Sequence, residues 1–326
     1  MKDKNPPSGQ NLSGVASKLA IAIDLGASNV RVALVSSGGE IAHKLKEPTK
    51  KEGKTGEVVS EQVVRLAEQV ASKIDAASLC GIGVSSIGPL DHRQGGPLHS
   101  PNVPFDFIPL VAPLKSTFSL PVFLLNDCNA AVLAEKHFGQ GKNTKNLFYI
   151  TLSTGIGGGA IVDDKLLFGK GGNAAEVGHF VVDTKYDLLC SCKKGYGHWE
   201  GLASGTNIPR FFRYWAESEK RTVDFEPSEA KDIFEVAKKG NVHAIAFLDE
   251  LAKVNAHALS NIIVAYDPEL ITIGGSVALQ NPDVILEGIL KHVDHYLADP
   301  YITITDLGED ITLLGAAAGA FGEGRG

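Results

Sequence analysis

Between residues 19 and 37 the chain reads LAIAIDLGASNVRVALVSS. Two runs of aliphatic and β-branched residues flank a short polar turn. That pattern predicts a β-hairpin, because such side chains pack well on a pleated, half-buried surface. SEQVVRLAEQVASKI (60–74) instead repeats its apolar positions every three to four residues, the period of an amphipathic helix. LCGIGVSSIGPL (79–90) predicts a buried strand entering a glycine turn. LPVFLLND (120–127) predicts a second buried strand that ends on polar residues, and CNAAVLAEKHFG (128–139) the helix after it.

NLFYITLSTGIGGGAIVDDKLLFG (146–169) returns to the opening plan: a β-rich run, a Gly/Ser/Thr turn, a second β-rich run and a short return. This is an internal duplication in pattern more than in identity. NVHAIAFLDELAKVNAHALSNIIVAYDP (241–268) predicts a long helix stopped by Pro268, and LITIGGSVA (270–278) a strand running into a glycine turn. ITLLGAAAGAFG (311–322) predicts a helix of small residues that packs closely on a neighbour. Strands alternating with helices indicate α/β architecture.

Composition narrows the class. The 326 residues suggest about two domains. A hydrophobic content of 44% and a charged content of 21% are those of a soluble globular protein. The net charge of -7, with no basic block, argues against nucleic acid as a partner. No apolar run approaches the roughly 20 residues that span a membrane, so no membrane partner is expected. Residues 1–18 are polar, lack the apolar core of a secretory signal, and are expected to form a loose tail. Cys80, Cys128, Cys190 and Cys192 are too few for a disulfide scaffold, which points to a reducing cytoplasm.

The candidate chemistry lies in the turns. GIGGGA (155–160) fits the dinucleotide pattern G-x-G-x-x-A, with Glu176 at about the distance of an acidic ribose ligand. Such a fingerprint must open a helix, whereas IVDDKLLF favours a strand. The alternatives are an ordinary glycine hairpin, or a hairpin whose bare N–H groups approach phosphates, the preferred reading. Asp127 ends a buried strand before a helix. It stands either at the mouth of a cleft, where α/β proteins place chemistry, or as a cap on that helix. In CSCKKGYGHWEG (190–201) two cysteines lie two residues apart and a histidine follows. A disulfide there would be strained, which leaves a metal site or a plain polar loop.

DLGASNVR, LNDCNAAVLAE, STGIGGGAI, EVGH, CSC…HWE and TIGGS occur in the order found in the ROK family of sugar kinases, and the chain resembles that family from about residue 19 to its C-terminus. The resemblance implies the two-domain actin-like ATPase (ribonuclease H-like) fold with a cleft between its domains. Residues 19–124 with 309–326 would form a smaller domain, and 125–308 a larger one carrying the cysteine loop. It implies phosphorylation of a hexose at its 6-hydroxyl by ATP with Mg²⁺, glucose first. N-acetylmannosamine or N-acetylglucosamine is the alternative substrate. A sugar-sensing regulator of the same family is disfavoured, because about 18 residues before the first strand are too few for a helix-turn-helix. A homodimer is also implied.

Residue by residue, Asp24, Gly26, Ser28 and Asn29 would form the first phosphate turn, with Asp24 near Mg²⁺; from the residues alone an Asx-type turn is the alternative. Thr154, Gly155, Gly157 and Gly158 would clasp the phosphates from the other side. Gly274, Gly275 and Ser276 would border the adenosine. Asp127 would be the general base. Asn102, Asn126, Asp127, Glu176, His179 and Glu200 would hold the sugar. Relatives commonly carry Cys-x-Cys-Gly-x-x-Gly-Cys-x-Glu at the cysteine loop, with the histidine of E-x-G-H as a fourth ligand to a structural zinc. Here His198 replaces the third cysteine and one extra residue precedes it. The expected site is therefore His179, Cys190, Cys192 and His198 around Zn²⁺, since imidazole replaces thiolate readily in tetrahedral sites.

Overall fold

The computed structural model describes residues 18–100 and 102–322. The tail expected over 1–18 lies, up to residue 17, outside the described residues. The opening hairpin is β1 (Leu19–Leu25) and β2 (Asn29–Ser36), followed by β3 (Ile41–Pro48), α1 (Glu57–Ala71), β4 (Leu79–Ser86), the short pair β5 (Leu90–Asp91) and β6 (Gly96–Pro97), α2 (Val111–Phe118) and β7 (Val122–Asn126). Next come α3 (Asp127–His137), β8 (Leu147–Leu152), β9 (Ile156–Val162) and β10 (Lys165–Leu166). Then follow α4 (Trp199–Ala203), α5 (Ile208–Ser218), α6 (Ala230–Lys238) and α7 (Val242–Tyr266). The chain closes with β11 (Leu270–Gly274), α8 (Ser276–Gln280), α9 (Pro282–His292), β12 (Tyr301–Ile304) and α10 (Ile311–Ala320).

Two five-stranded sheets share one plan. The first has the order β3-β2-β1-β4-β7 and the second β10-β9-β8-β11-β12. In each, an antiparallel meander of three strands is extended by two parallel strands, β4 and β7 in one and β11 and β12 in the other. The duplicated sequence pattern therefore becomes a duplicated sheet. Period-2 alternation is weak in β1 and β8 because both faces of these central strands are covered.

Apolar side chains form three cores. One joins the outer face of the first sheet to α1 and α2. A second joins the outer face of the other sheet to α4–α7 and α9. The third lies between the sheets and is built from α3, α10 and the inner faces of both. Its small residues have a steric reason. A Cβ on Gly315 would overlap the Ala130 carbonyl, and one on Gly83 would overlap that of Ala316. So α10 is pressed between β4 and α3, and only glycine and alanine permit that spacing. The 25-residue α7 is capped by Asn241, whose side chain accepts from the N–H groups of His243 and Ala244. It ends where Asp267 turns left-handed (φ 45°) before Pro268.

Candidate active site

The two hairpin turns face one cleft. In the first, Leu25 pairs with Val30, and the Gly26 N–H closes the turn on the Asn29 carbonyl at 2.9 Å. Thr49 braces it from behind, its Oγ1 donating to the Gly26 carbonyl at 2.7 Å. In the second, Leu152 pairs with Ile156, leaving Ser153, Thr154 and Gly155 as the loop. Thr206 Oγ1 donates to the Thr154 carbonyl (2.9 Å). Ser153 Oγ and Ser276 Oγ lie 3.1 Å apart and tie this loop to the turn after β11. Between the turns is a cavity of about 660 Å³ lined by Asp24, Gly26, Ser28, Asn29, Ser153, Thr154, Gly275 and Ser276. Gly274 is not on that lining. It ends β11, where a Cβ would collide with the Tyr149 hydroxyl.

Asp127 lies deeper. Asn126 is the N-cap of α3, its Oδ1 accepting from the Asn129 N–H at 2.6 Å. Asp127 is the first helical residue, and its Oδ1 accepts from the Cys128 N–H at 2.8 Å. The carboxylate faces open cleft on one side and is crowded by protein on the others. This desolvation raises its pKa above the usual carboxylate value, and the negative charge of Asp24 adds to the effect, against the pull of the Cys128 hydrogen bonds. A cavity of about 430 Å³ brings Asn102, Asn126, Asp127, Gly155, Gly157, Gly158, Glu176 and Glu200 together. A neighbouring one of about 440 Å³ adds Asn173 and His179 to Asn126, Asp127 and Glu176. Desolvation also raises the Glu176 carboxyl, helped by Asp127 and Glu200 and opposed by His179. Exposed Asn102 stands where the first two cavities meet.

The glycines at and just before the start of β9 have close neighbours. A Cβ on Gly157 would stand 2.7 Å from Cys128 Sγ, one on Gly158 2.8 Å from the Phe148 ring, and one on Gly155 2.8 Å from Glu200 Oε2. That Glu200 oxygen accepts from the Ile156 N–H at 3.0 Å. GIGGGA thus opens strand β9 rather than a helix, so the dinucleotide fingerprint does not apply.

Beyond Glu176 and Glu200, the ligand atoms of His179, Cys190, Cys192 and His198 all lie within 4.8 Å of one another. A tetrahedral zinc would hold such atoms about 3.3–3.8 Å apart, so a small contraction would seat it. The extra residue before His198 is absorbed by a tight loop. The Cys190 N–H bonds to the Gly195 carbonyl, Gly197 turns with φ 68°, and His198 bridges Val181. His198 Nδ1 therefore reaches within 3.5 Å of Cys192 Sγ. Burial pushes the Cys190 thiol up to about 11, so its thiolate form needs a cation beside it.

The profile of the ROK family matches residues 20–321. The chain belongs to the ROK family. It is 40% identical over 304 residues to a glucokinase of Pyrobaculum calidifontis, covering 92% of this chain and 94% of that protein. It superposes on the ROK hexokinase of Thermus thermophilus with a TM-score of 0.78 and 31% identity, over 94% of this chain and 98% of that one. It also resembles the ROK family glucokinase of Streptomyces griseus, solved with glucose and AMPPNP, with a TM-score of 0.72 and 28% identity, over 92% and 98% of the chains. The fold is accordingly the two-domain actin-like ATPase fold that the motif order implied.

Several residues of this ROK chain's cleft went unnoticed in the sequence. Arg31 donates through Nε (3.0 Å) and Nη2 (2.8 Å) to Asp24 Oδ2, and through Nη1 to the Glu309 carbonyl (2.8 Å) and Asp310 Oδ1 (3.2 Å). The hairpin register could have revealed it, since Asp24 and Arg31 are a cross-strand pair. Asn173 and Cys128 carried no such signal, because tertiary packing alone brings them to the cleft.

Proposed function

We propose that this chain is an ATP-dependent hexose kinase that phosphorylates glucose at its 6-hydroxyl. The observation that carries the reading is the Asp127 carboxylate, set at the N-terminus of α3 between the two hairpin turns and beside Glu176 and Glu200. The phosphates of ATP lie over the turns at Gly26–Asn29 and Ser153–Gly155, with the base toward Ser276 and the cavity of about 550 Å³ beyond it. Mg²⁺ supplies charge neutralisation. Asp24, whose Oδ2 takes two of the Arg31 hydrogen bonds, would hold the ion near the phosphates. Glucose lies in the deeper cavities, with Asn102, Asn126, Glu176, His179 and Glu200 as hydroxyl partners.

Asp127 accepts the proton of the sugar 6-hydroxyl as that oxygen bonds to the γ-phosphorus. The bond from the γ-phosphorus to the bridging oxygen breaks, and ADP leaves. Such a transfer asks the protein mostly for positioning and charge neutralisation. Desolvation of Asp127 suits the role, because a carboxylate with a raised pKa is a better base.

His179, Cys190, Cys192 and His198 are assigned to a structural zinc, whose four protein ligands leave no open position for catalysis. Held there, it would keep the flanking Glu176 and Glu200 in register. We assign residues 19–124 with 309–326 to one domain and 125–308 to the other, supported by the return of α10 to the first sheet. A cytoplasmic homodimer is part of the same proposal. No helix among the described residues is long and apolar enough to cross a membrane.

The deciding experiment measures kcat/KM with Mg-ATP over a panel of glucose, mannose, fructose, N-acetylglucosamine and N-acetylmannosamine. Glucose is expected to lead. An N-acetylhexosamine in first place would overturn the substrate assignment while leaving the kinase, and the absence of ADP formation with every sugar would overturn both.

A further inference from the structure

Arg31 lines the cavity between the two hairpin turns, yet the mechanism above gives it no task. Its guanidinium reaches in two directions. Toward β1, Nε and Nη2 donate to Asp24 Oδ2 at 3.0 and 2.8 Å. Toward α10, Nη2 also donates to Thr312 Oγ1 at 2.9 Å, and Nη1 to the Glu309 carbonyl at 2.8 Å and Asp310 Oδ1 at 3.2 Å. Lys44 Nζ holds the other Asp310 oxygen at 2.6 Å. The Arg31 and Asp24 side chains are only 18% and 13% exposed, so water competes little for these bonds. The fold does not need this bridge. β1 and β2 are already paired from Leu19–Ser36 to Leu25–Val30, and α10 is already seated by Gly83 and Gly315 on β4 and α3. What the bridge adds is a fixed place for the Asp24 carboxylate relative to α10. That helix packs at Gly315 on Ala130 of α3, whose first residue is Asp127. Carboxylates on opposite sides of the cleft are thereby referred to one frame.

We propose that Arg31 is a positioning residue for phosphoryl transfer: its planar fork fixes the Asp24 carboxylate to the start of α10, so that Asp24 meets Mg-ATP in one orientation. The inference rests on the kinase reading above. A rigid fork of donors can hold a carboxylate and a helix start at once, which the single ammonium of a lysine cannot. The reacting atoms must meet in line, and a misplacement of about 1 Å can cost on the order of a hundredfold in rate.

The test compares Arg31→Ala, Arg31→Lys and Asp310→Asn with the wild type, by kinetics and by calorimetry of glucose and of ADP with and without Mg²⁺. In R31A, kcat/KM for Mg-ATP is expected to fall about tenfold, and Mg-ADP affinity with it. Affinities for glucose and for ADP in EDTA should stay within about twofold, a split that general damage to the fold would not produce. R31K keeps the charge and loses the fork, so it should stay within about threefold of R31A. D310N loosens the α10 end alone and should move the same quantities in the same direction by a smaller factor. Should R31A fail to fold, R31K and D310N carry the test. Wild-type Mg-ATP kinetics in folded R31A, or in both R31K and D310N, would overturn the proposal, because the fork would then be idle. Equal weakening of glucose, Mg-ADP and metal-free ADP would also overturn it, leaving Arg31 as a general support of the fold. A wild-type protein that phosphorylates no hexose would instead refute the kinase reading, so the two failures are separable.

Discussion

At the scale of single residues, Asp127 carries two opposing demands. Desolvation raises its carboxyl pKa, which would strengthen it as the proposed base, while the open cleft beside it screens the charge and keeps the cost to stability at neutral pH small. The sign follows from linkage: a carboxyl held above its unfolded value binds its proton more tightly in the native state. Stability is therefore lost as pH rises through that range and regained on acidification. Asp127→Asn removes the charge and keeps an acceptor for the Cys128 N–H. Its kcat is expected to drop by at least ~10²-fold with glucose affinity nearly intact. Its melting temperature at pH 7 should equal or exceed that of the wild type, with the difference shrinking as pH falls. Kinetics, calorimetry and thermal unfolding at several pH values check the set. A variant retaining more than about a tenth of the wild-type kcat removes Asp127 from the base role.

At the scale of elements, the second hairpin and the cysteine loop meet at Glu200. Its Oε2 accepts from the Ile156 N–H, and Gly155 leaves room for it. Glu200→Gln keeps an acceptor for that N–H, so it should raise the glucose KM and leave the ATP KM alone. Glu200→Ala strands the N–H and should raise both, by several-fold or more given the cost of an unmade hydrogen bond. Steady-state kinetics with each substrate varied in turn separates the two. Glu176→Gln, by contrast, should affect glucose alone. The proposed zinc loop would act on the same carboxylates from the other side. Elemental analysis of untagged protein is expected to find close to one zinc per chain, lost in Cys190→Ser/Cys192→Ser together with glucose affinity and several degrees of melting temperature. Metal-free protein with full activity and an unchanged melting temperature would leave the stretch as a polar loop beside the sugar.

At the scale of the whole molecule, the two sheets and the helix between them decide how the site is assembled. Much of this was legible in the chain. The hairpins at 19–36 and 147–162 follow from β-rich runs around polar turns, and α7 from a sustained helical period ended by Pro268. The beginning of α1 at Glu57, three residues before its clear pattern, was not legible, because Gly56 is fixed by contact with Phe107 and Ile108 far along the chain. Nor was the Cys128–Gly157 contact, since no local period reports which strand a helix will press against. ITLLGAAAGAFG announced close packing without naming its partners, which are β4 and α3. Those partners make the last prediction. Because α3 begins with Asp127, anything that separates α10 from α3 at Ala130 shifts the proposed base as well as the core. Gly315→Ala places a methyl against the Ala130 carbonyl, where backbone cannot step aside cheaply. Overpacking of this kind costs about 1–3 kcal/mol, and roughly 2–4 °C of melting temperature accompanies each kcal/mol in domains of 150–250 residues. Gly38→Ala, whose new methyl would meet only Ser36 Oγ at 3.6 Å, is the control and should change neither stability nor rate. G315A should melt several degrees lower and lose kcat more than it gains in glucose KM, because the displaced group is the base and not the sugar's other partners. A G315A enzyme with wild-type stability and kcat would show that α3 and α10 yield to each other without moving Asp127.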